Sequence, residues 1–466
     1  HGALVSLADR ASDREFAAAR AEPFLFRLVF TETGDISGTT QTFSNRDAAR
    51  VLCEVERTAD AERAVLRFSE FAARSLRVTC TVAVANGDPL VRWRIAVAGS
   101  EPLVLEEVQY PIFGLSDTLG SVRDDDGVLA GATEDGLYLA PGDWPPGRQH
   151  VYTQPGSLAA QFGGYYDPAG GVYTATQDGK GYPKTLDVVR TADGLELAWV
   201  HLCCRELTPP VALDYDVAFT TFRAGSGAAP TDWRDGADLY KQWAIAQRWC
   251  AKTIADRPDI PAWVKSGSAI LFCDLRSRWG NAESMAGTAA WIAGCWPRHF
   301  GNAPPPTVIL FASEGLAAWA SPGHFPLYPS DEEFRRGAEA LHNVGAHVYL
   351  APSGYQWWLT YGKRPDGAFI WDGRKSFEEE ARTHVATGRD GTPYRQASNW
   401  LEGGETTNLC QGDPWTRAWF DRLAEGLHER GGDIFHIDQV VGGHWPGGGM
   451  GNVCYSRTHG HAPGHG

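Results

Sequence analysis

With 466 residues, 43% of them hydrophobic and 21% charged, the chain has length for two or three domains at ~150 residues each. Acidic residues outnumber basic ones 57 to 42, giving a net charge of -15, and a field of that sign repels phosphate backbones, so nucleic-acid binding is not expected. No apolar run approaches the ~20 residues of a membrane-spanning helix, and no membrane role is expected either. Eighteen Trp, 15 Tyr and 20 Phe are a heavy aromatic load, divided between core packing and the stacking faces that sugar rings use.

Nine cysteines include no C-x-x-C pair, so neither a zinc nor a redox motif is read from them; no cofactor and no metal are expected. They read as small buried hydrophobes of a reducing, cytoplasmic type of compartment. The chain opens on His1 with no charged-then-apolar leader before its first strand.

From about residue 22 to 223 the pattern has period two. Leu76, Val78, Cys80, Val82 and Val84 fall on one face of a strand, Asn86-Gly87-Asp88-Pro89 turns the chain, and Val91, Trp93, Ile95 and Val97 alternate on the way back. Further strands are expected at Leu103 to Val108, Gly171 to Thr176, Leu195 to Cys203 and Leu213 to Phe222. Strands in series without helices between them predict an antiparallel β-sandwich over residues 1–225. A connector follows over 226–262, with a helix capped by Thr231 and carrying Tyr240 and Trp243 on its apolar face, packed between two domains.

Residues 263–466 alternate buried strands with helices: strands at Ala269 to Cys273, Thr307 to Phe311, His347 to Leu350 and Ile434 to Ile437, helices from Ser284, Ser330 and Asp413. Four β/α units predict the first half of a TIM-type (β/α)8 barrel or an open doubly wound sheet. The whole is expected to be a multidomain β and α/β protein.

In barrel enzymes the working groups stand at the carboxyl ends of strands. That rule selects Asp274 after the first strand, Glu314 after the second and Asp438 after the fourth. Asp438 lies between His436 and Gln439, where an apolar strand emerges into a polar loop. A carboxylate there is placed to attack an anomeric carbon, and equally to accept backbone N–H bonds as a structural residue. Glu314 reads as an acid/base, a sugar contact or a solvated loop acid; Asp274 reads as a sugar contact or as an ion-pair partner of Arg276 and Arg278. Gln356, Trp357 and Trp358 are expected on a loop after the third strand, offering an amide and stacking faces. His459 and His461, with His465, suggest sugar hydrogen bonding, loop structure or metal ligation, and the first two are preferred because H-x-H alone is a weak ligand signature.

The segment Ile434-Phe-His-Ile-Asp-Gln439 resembles the nucleophile strand of barrel glycoside hydrolases, the α-galactosidases and endo-α-N-acetylgalactosaminidases among them. Together with the segments Tyr165 to Asp178 and Cys454 to His461, it makes the chain from about residue 100 onward similar to a glycoside hydrolase family in which a galactose-mutarotase-like sandwich precedes the barrel. The resemblance implies a retaining glycosidase with Asp438 as nucleophile, a carbohydrate or glycoconjugate substrate, and His436 and Gln439 beside the sugar. In such relatives the acid/base stands on a later barrel strand, so it is expected beyond Gly466, with Glu314 as the in-chain alternative. Two other functions compete: a carbohydrate-binding protein with a vestigial barrel, and a metal-dependent hydrolase using the terminal histidines.

Overall fold

The computed structural model describes residues 2–437 and 453–464, apart from 11, 19–22, 73, 133–135, 155, 226–228, 268, 278–282, 317–320 and 398–403. It divides into two compact units, His1–Ala251 and Lys252–Gly466.

In the first unit, alternation in the sequence becomes alternation of burial. Strands Arg77–Ala85 and Val91–Ala98 pair antiparallel, Cys80 facing Ile95, and Gly87 at φ 80° closes the turn. Val78, Cys80, Trp93, Ile95 and Val97 are buried, while Arg77 and Arg94 face water. Val84, near the turn, is exposed. Ten strands form one antiparallel sheet and six another. One core takes Phe68, Trp93, Val172 and Phe219 from the larger sheet and Leu28, Phe113, Leu186 and Trp199 from the smaller. The Phe113 ring lies 4.3 Å from Phe219 and 5.9 Å from Trp93, and each such buried side chain stabilises the fold by about 2–3 kcal/mol.

Helix Trp233–Ala244 packs on the larger sheet, Tyr240 stacking on Phe162 at 5.1 Å. Its cap is Asp232 rather than Thr231. Thr231 turns its hydroxyl to the Ala224 N–H at 3.1 Å, whereas Asp232 accepts from the Arg234 N–H and Asp235 returns a bond to the Asp232 N–H.

The second unit contains a parallel sheet in the order Ile270–Asp274, Thr307–Phe311, His347–Leu350, Ile434–Phe435. Helices Met285–Phe300, Asp331–Asn343 and Pro414–His428 connect them, each opened by a side-chain cap from Ser284, Ser330 or Asp413. Val308, Leu310, Val348 and Leu350 are buried against Ile292, Phe334, Leu341 and Leu427. The half barrel expected from sequence is thus seen as an open four-stranded sheet; closure is not shown among the described residues.

One sheet was not expected. Between the third and fourth parallel strands the chain forms a four-stranded antiparallel sheet, in the order Phe369–Asp372, Gln356–Lys363, Glu405–Asn408, Gln396–Ala397. Gln356, Trp357 and Trp358 are therefore on a strand rather than a loop. Successive strand residues face opposite sides, and both sides are covered here: Trp357 is 0% and Trp358 3% exposed.

Candidate functional site

Asp274 is the last residue of the first parallel strand and is nearly buried. Its Oδ1 accepts the Arg276 N–H at 3.1 Å. The Arg276 side chain reaches to the next loop, donating to the carbonyls of Ala312 (3.0 Å), Gly315 (2.9 Å) and Glu314, with its guanidinium 3.9 Å from the centre of the Tyr328 ring. Burial lowers the pKa of this guanidinium. Ala312 is held at φ 59°, a left-handed conformation that costs a residue with a Cβ, so the three carbonyl bonds fix a backbone that would otherwise relax.

Glu314 follows the second strand and is 2% exposed. Its Oε1 accepts the Ser353 N–H at 3.3 Å, from the loop after the third strand. His324 Nε2 faces Ser353 Oγ at 2.9 Å, and burial brings this imidazole down to about 4, so it is neutral at pH 7. Gly315 admits no substitute, since a Cβ would stand 2.0 Å from the Pro326 carbonyl oxygen. Asp274 thus lies at, and Glu314 just past, the carboxyl ends of neighbouring parallel strands, with the loops after strands one, two and three fastened together. His324 and Ser353 were not singled out by the sequence; a lone His in a Pro-rich loop carries no spacing signal.

The remaining expected site residues fare differently. Asp438 and Gln439 lie outside the described residues. His436 is exposed at the end of the fourth strand, its ring 6.3 Å from Tyr349. Gln356 is partly exposed and pairs with Asn408 across the inserted sheet. Trp357 packs against Trp415 and Trp419, and the expectation that it or Trp358 stacks on a sugar is corrected, because neither ring has an open face.

His459 and His461 stand in a cluster that the sequence did not show. They converge with Cys410 and Cys454, and the four ligand atoms lie within 4.8 Å of one another. Cys454 Sγ stands 3.4 Å from His459 Nδ1, and Cys410 Sγ 3.1 Å from His461 Nε2. The hydrogen bond from the Cys410 thiol holds the Cys454 thiol well below its usual range, and burial opposes this. Cys410 is raised in turn by the same bond. Burial opposes protonation of His459, yet its contact with Cys454 raises its pKa overall. Sequence reading passed over Cys410 because it stands far from the others in the chain; Cys454-x4-His459-x-His461 was the local signal available. His465 lies outside the described residues.

The fold is similar to that of alpha-N-acetylgalactosaminidase NagBb from Bifidobacterium bifidum. Its GalNAc complex aligns with a TM-score of 0.63 at 13% identity, covering 92% of this chain and 67% of that one. The ligand-free form gives 0.60 at 12%, over 93% and 69%. The GH36 alpha-galactosidase AgaB from Geobacillus stearothermophilus aligns with a TM-score of 0.44 at 10% identity, over 93% and 58%. No curated protein matches by sequence. A family profile with the description domain of unknown function (DUF6259) matches residues 219–466.

Proposed function

The chain belongs to the DUF6259 family, and we propose that it acts as a retaining glycosidase in which Asp438 is the nucleophile. The observation that carries this reading is the parallel sheet: Asp274 ends its first strand and Glu314 follows its second, and Asp438 follows the fourth in sequence. The likeness to NagBb over most of the chain supports it. Ile270 and Phe272 on the first strand are 63% and 45% exposed at the open edge of the sheet, which is where a closed barrel would lay another strand.

The chemistry follows from two carboxyl groups about 5.5 Å apart. Asp438 attacks the anomeric carbon as the leaving oxygen takes a proton from the second group, and water, deprotonated by that same group, then releases the sugar. Glu314 is nearly enclosed and clasped by Ser353, so it braces the loops and the proton donor is another carboxyl. Asp274, with a backbone-anchored Oδ1, is placed to accept a sugar hydroxyl. His436 and Gln439 flank the sugar.

NagBb was solved with GalNAc, so aryl α-glycosides of N-acetylgalactosamine and galactose are the first substrates to test. In the enzyme that turns one over, Asp438→Ala lowers the rate by roughly 10³-fold or more, about 4 kcal/mol of transition-state stabilisation. Azide then restores part of it by occupying the vacated space. An Asp438→Ala enzyme of undiminished rate would remove the assignment. Glu314→Gln lowers stability more than it lowers turnover.

A further inference from the structure

We propose that Cys410, Cys454, His459 and His461 form a structural zinc site. This stands on the cluster alone and does not depend on the glycosidase reading. Two sulfurs and two imidazole nitrogens are the donor set that tetrahedral zinc takes in structural sites. With Zn–S near 2.3 Å and Zn–N near 2.05 Å, a tetrahedron separates sulfur from nitrogen by roughly 3.5 Å. The sulfur to nitrogen separations here, 3.4 Å and 3.1 Å, need to change by only tenths of an ångström.

The orientation of the rings is the second argument. His459 Nε2 lies 2.7 Å from the Thr383 carbonyl oxygen, and His461 Nδ1 lies 2.8 Å from the Ala462 carbonyl oxygen. A carbonyl only accepts, so each ring keeps its proton on the nitrogen facing away from the sulfurs. In the neutral rings the inward nitrogens, His459 Nδ1 and His461 Nε2, then carry the lone pairs, and zinc would replace any proton held between His459 and the Cys454 sulfur. Backbone acceptors behind ligating imidazoles are the usual outer support of zinc, and they fix both tautomer and ring direction. Gly460 at φ 78° provides the turn that brings the two rings to 5.8 Å.

The surroundings suit a closed site. Cys410, Cys454 and His459 are 1%, 0% and 3% exposed, and Ala386 packs against both sulfurs' residues. Four protein donors leave no position for a catalytic water, which separates this site from that of a zinc hydrolase. The ion would tie three stretches together, since Cys410 N–H bonds the His384 carbonyl, Tyr455 N–H the Thr387 carbonyl and Gly464 N–H the Cys454 carbonyl. Val453, where the described residues resume after Ile437, is the neighbour of a ligand.

The test is metal analysis of the purified 466-residue chain, prepared with reductant and without chelator. About one zinc per chain is expected, retained through gel filtration and restored by zinc after chelation. Cobalt in its place gives thiolate charge-transfer bands and intense tetrahedral d–d bands, a readout on the native chain that needs no variant. Cys410→Ser and His461→Ala each weaken zinc binding by more than the roughly 10- to 100-fold that loss of an outer-shell partner costs. Failure of the zinc-loaded chain to retain the metal, or a cobalt spectrum without thiolate bands, would overturn the site. So would zinc binding unchanged in Cys410→Ser, which would move the metal to Asp125, Asp126 and Asp167, or a Cys410–Cys454 disulfide in the protein as isolated.

Discussion

In the sandwich, Lys184 and Asp178 are almost wholly enclosed, with side chains 0% and 1% exposed. Lys184 Nζ meets Asp178 Oδ2 at 2.8 Å, Gln161 Oε1 at 3.2 Å and the Tyr182 carbonyl. Asp178 also accepts the backbone N–H groups of Lys180, Gly181 and Tyr182. Three donors on the ammonium find three acceptors, and the two charges cancel. The cluster in the second unit, three of its four residues buried, is balanced otherwise: Cys410, Cys454, His459 and His461 turn two ring nitrogens and two sulfurs toward one point. A closed account of donors and acceptors marks a network that serves the fold, whereas a surplus of soft acceptors around one point marks a place for a cation.

That contrast is sharpest in Asp178→Ala, which leaves the buried Lys184 ammonium without its counter-charge and three N–H groups without their acceptor. Its expected cost is about 3–5 kcal/mol, read by urea unfolding of the first unit. Lys184→Met costs less, because Asp178 keeps its backbone donors. A loss below about 1 kcal/mol for Asp178→Ala would show that the pair is not what holds those loops.

Chelation is the complementary perturbation. Zinc at 100 times its dissociation constant stabilises the unit that binds it by about 2.7 kcal/mol, so in calorimetry the chelator lowers the transition of the second unit and leaves the sandwich transition in place. Equal displacement of both transitions would erase the distinction between the clusters.

A smaller effect is expected from pH. His201, bonded to Tyr215 Oη and the Tyr110 carbonyl, is brought by burial from 6.5 to about 3. The folded state keeps it neutral while the unfolded chain takes up a proton below pH 6.5, so its contribution is whole above that pH and is lost as pH falls toward 3. Asp126 and Asp187, raised by burial to about 6, act with the opposite sign, their contribution being present at low pH and lost as pH rises through 6. The His201 part is therefore read as a difference: between pH 6.5 and 4, the stability of His201→Gln falls less steeply than that of the native chain. Parallel curves would assign the acid sensitivity elsewhere.

Much of the fold was legible because period and caps are local. The Arg77–Ala85 hairpin, the strands Thr307–Phe311 and His347–Leu350, and the helices opened by Ser284, Ser330 and Asp413 stand where alternation and capping residues placed them. The inserted sheet was not legible, because Trp357 and Trp358 are buried on both faces and so lack the alternation that announces a strand. The strand-end rule gave the positions of Asp274 and Glu314 at the ends of their strands but not their confinement, which depends on Arg276 and Ser353 reaching across loops. The four-donor cluster needed contacts from Cys410 to His461, a separation that local spacing does not encode.

The central claim, that Asp438 forms a glycosyl-enzyme, is tested most directly by a mechanism-based fluorosugar of the galacto series and mass analysis of the protein and its peptides. The account predicts a single added glycosyl group on the peptide containing Asp438, released again by water with return of activity and absent from Asp438→Ala. Turnover of an aryl glycoside with the label on another carboxylate would contradict it.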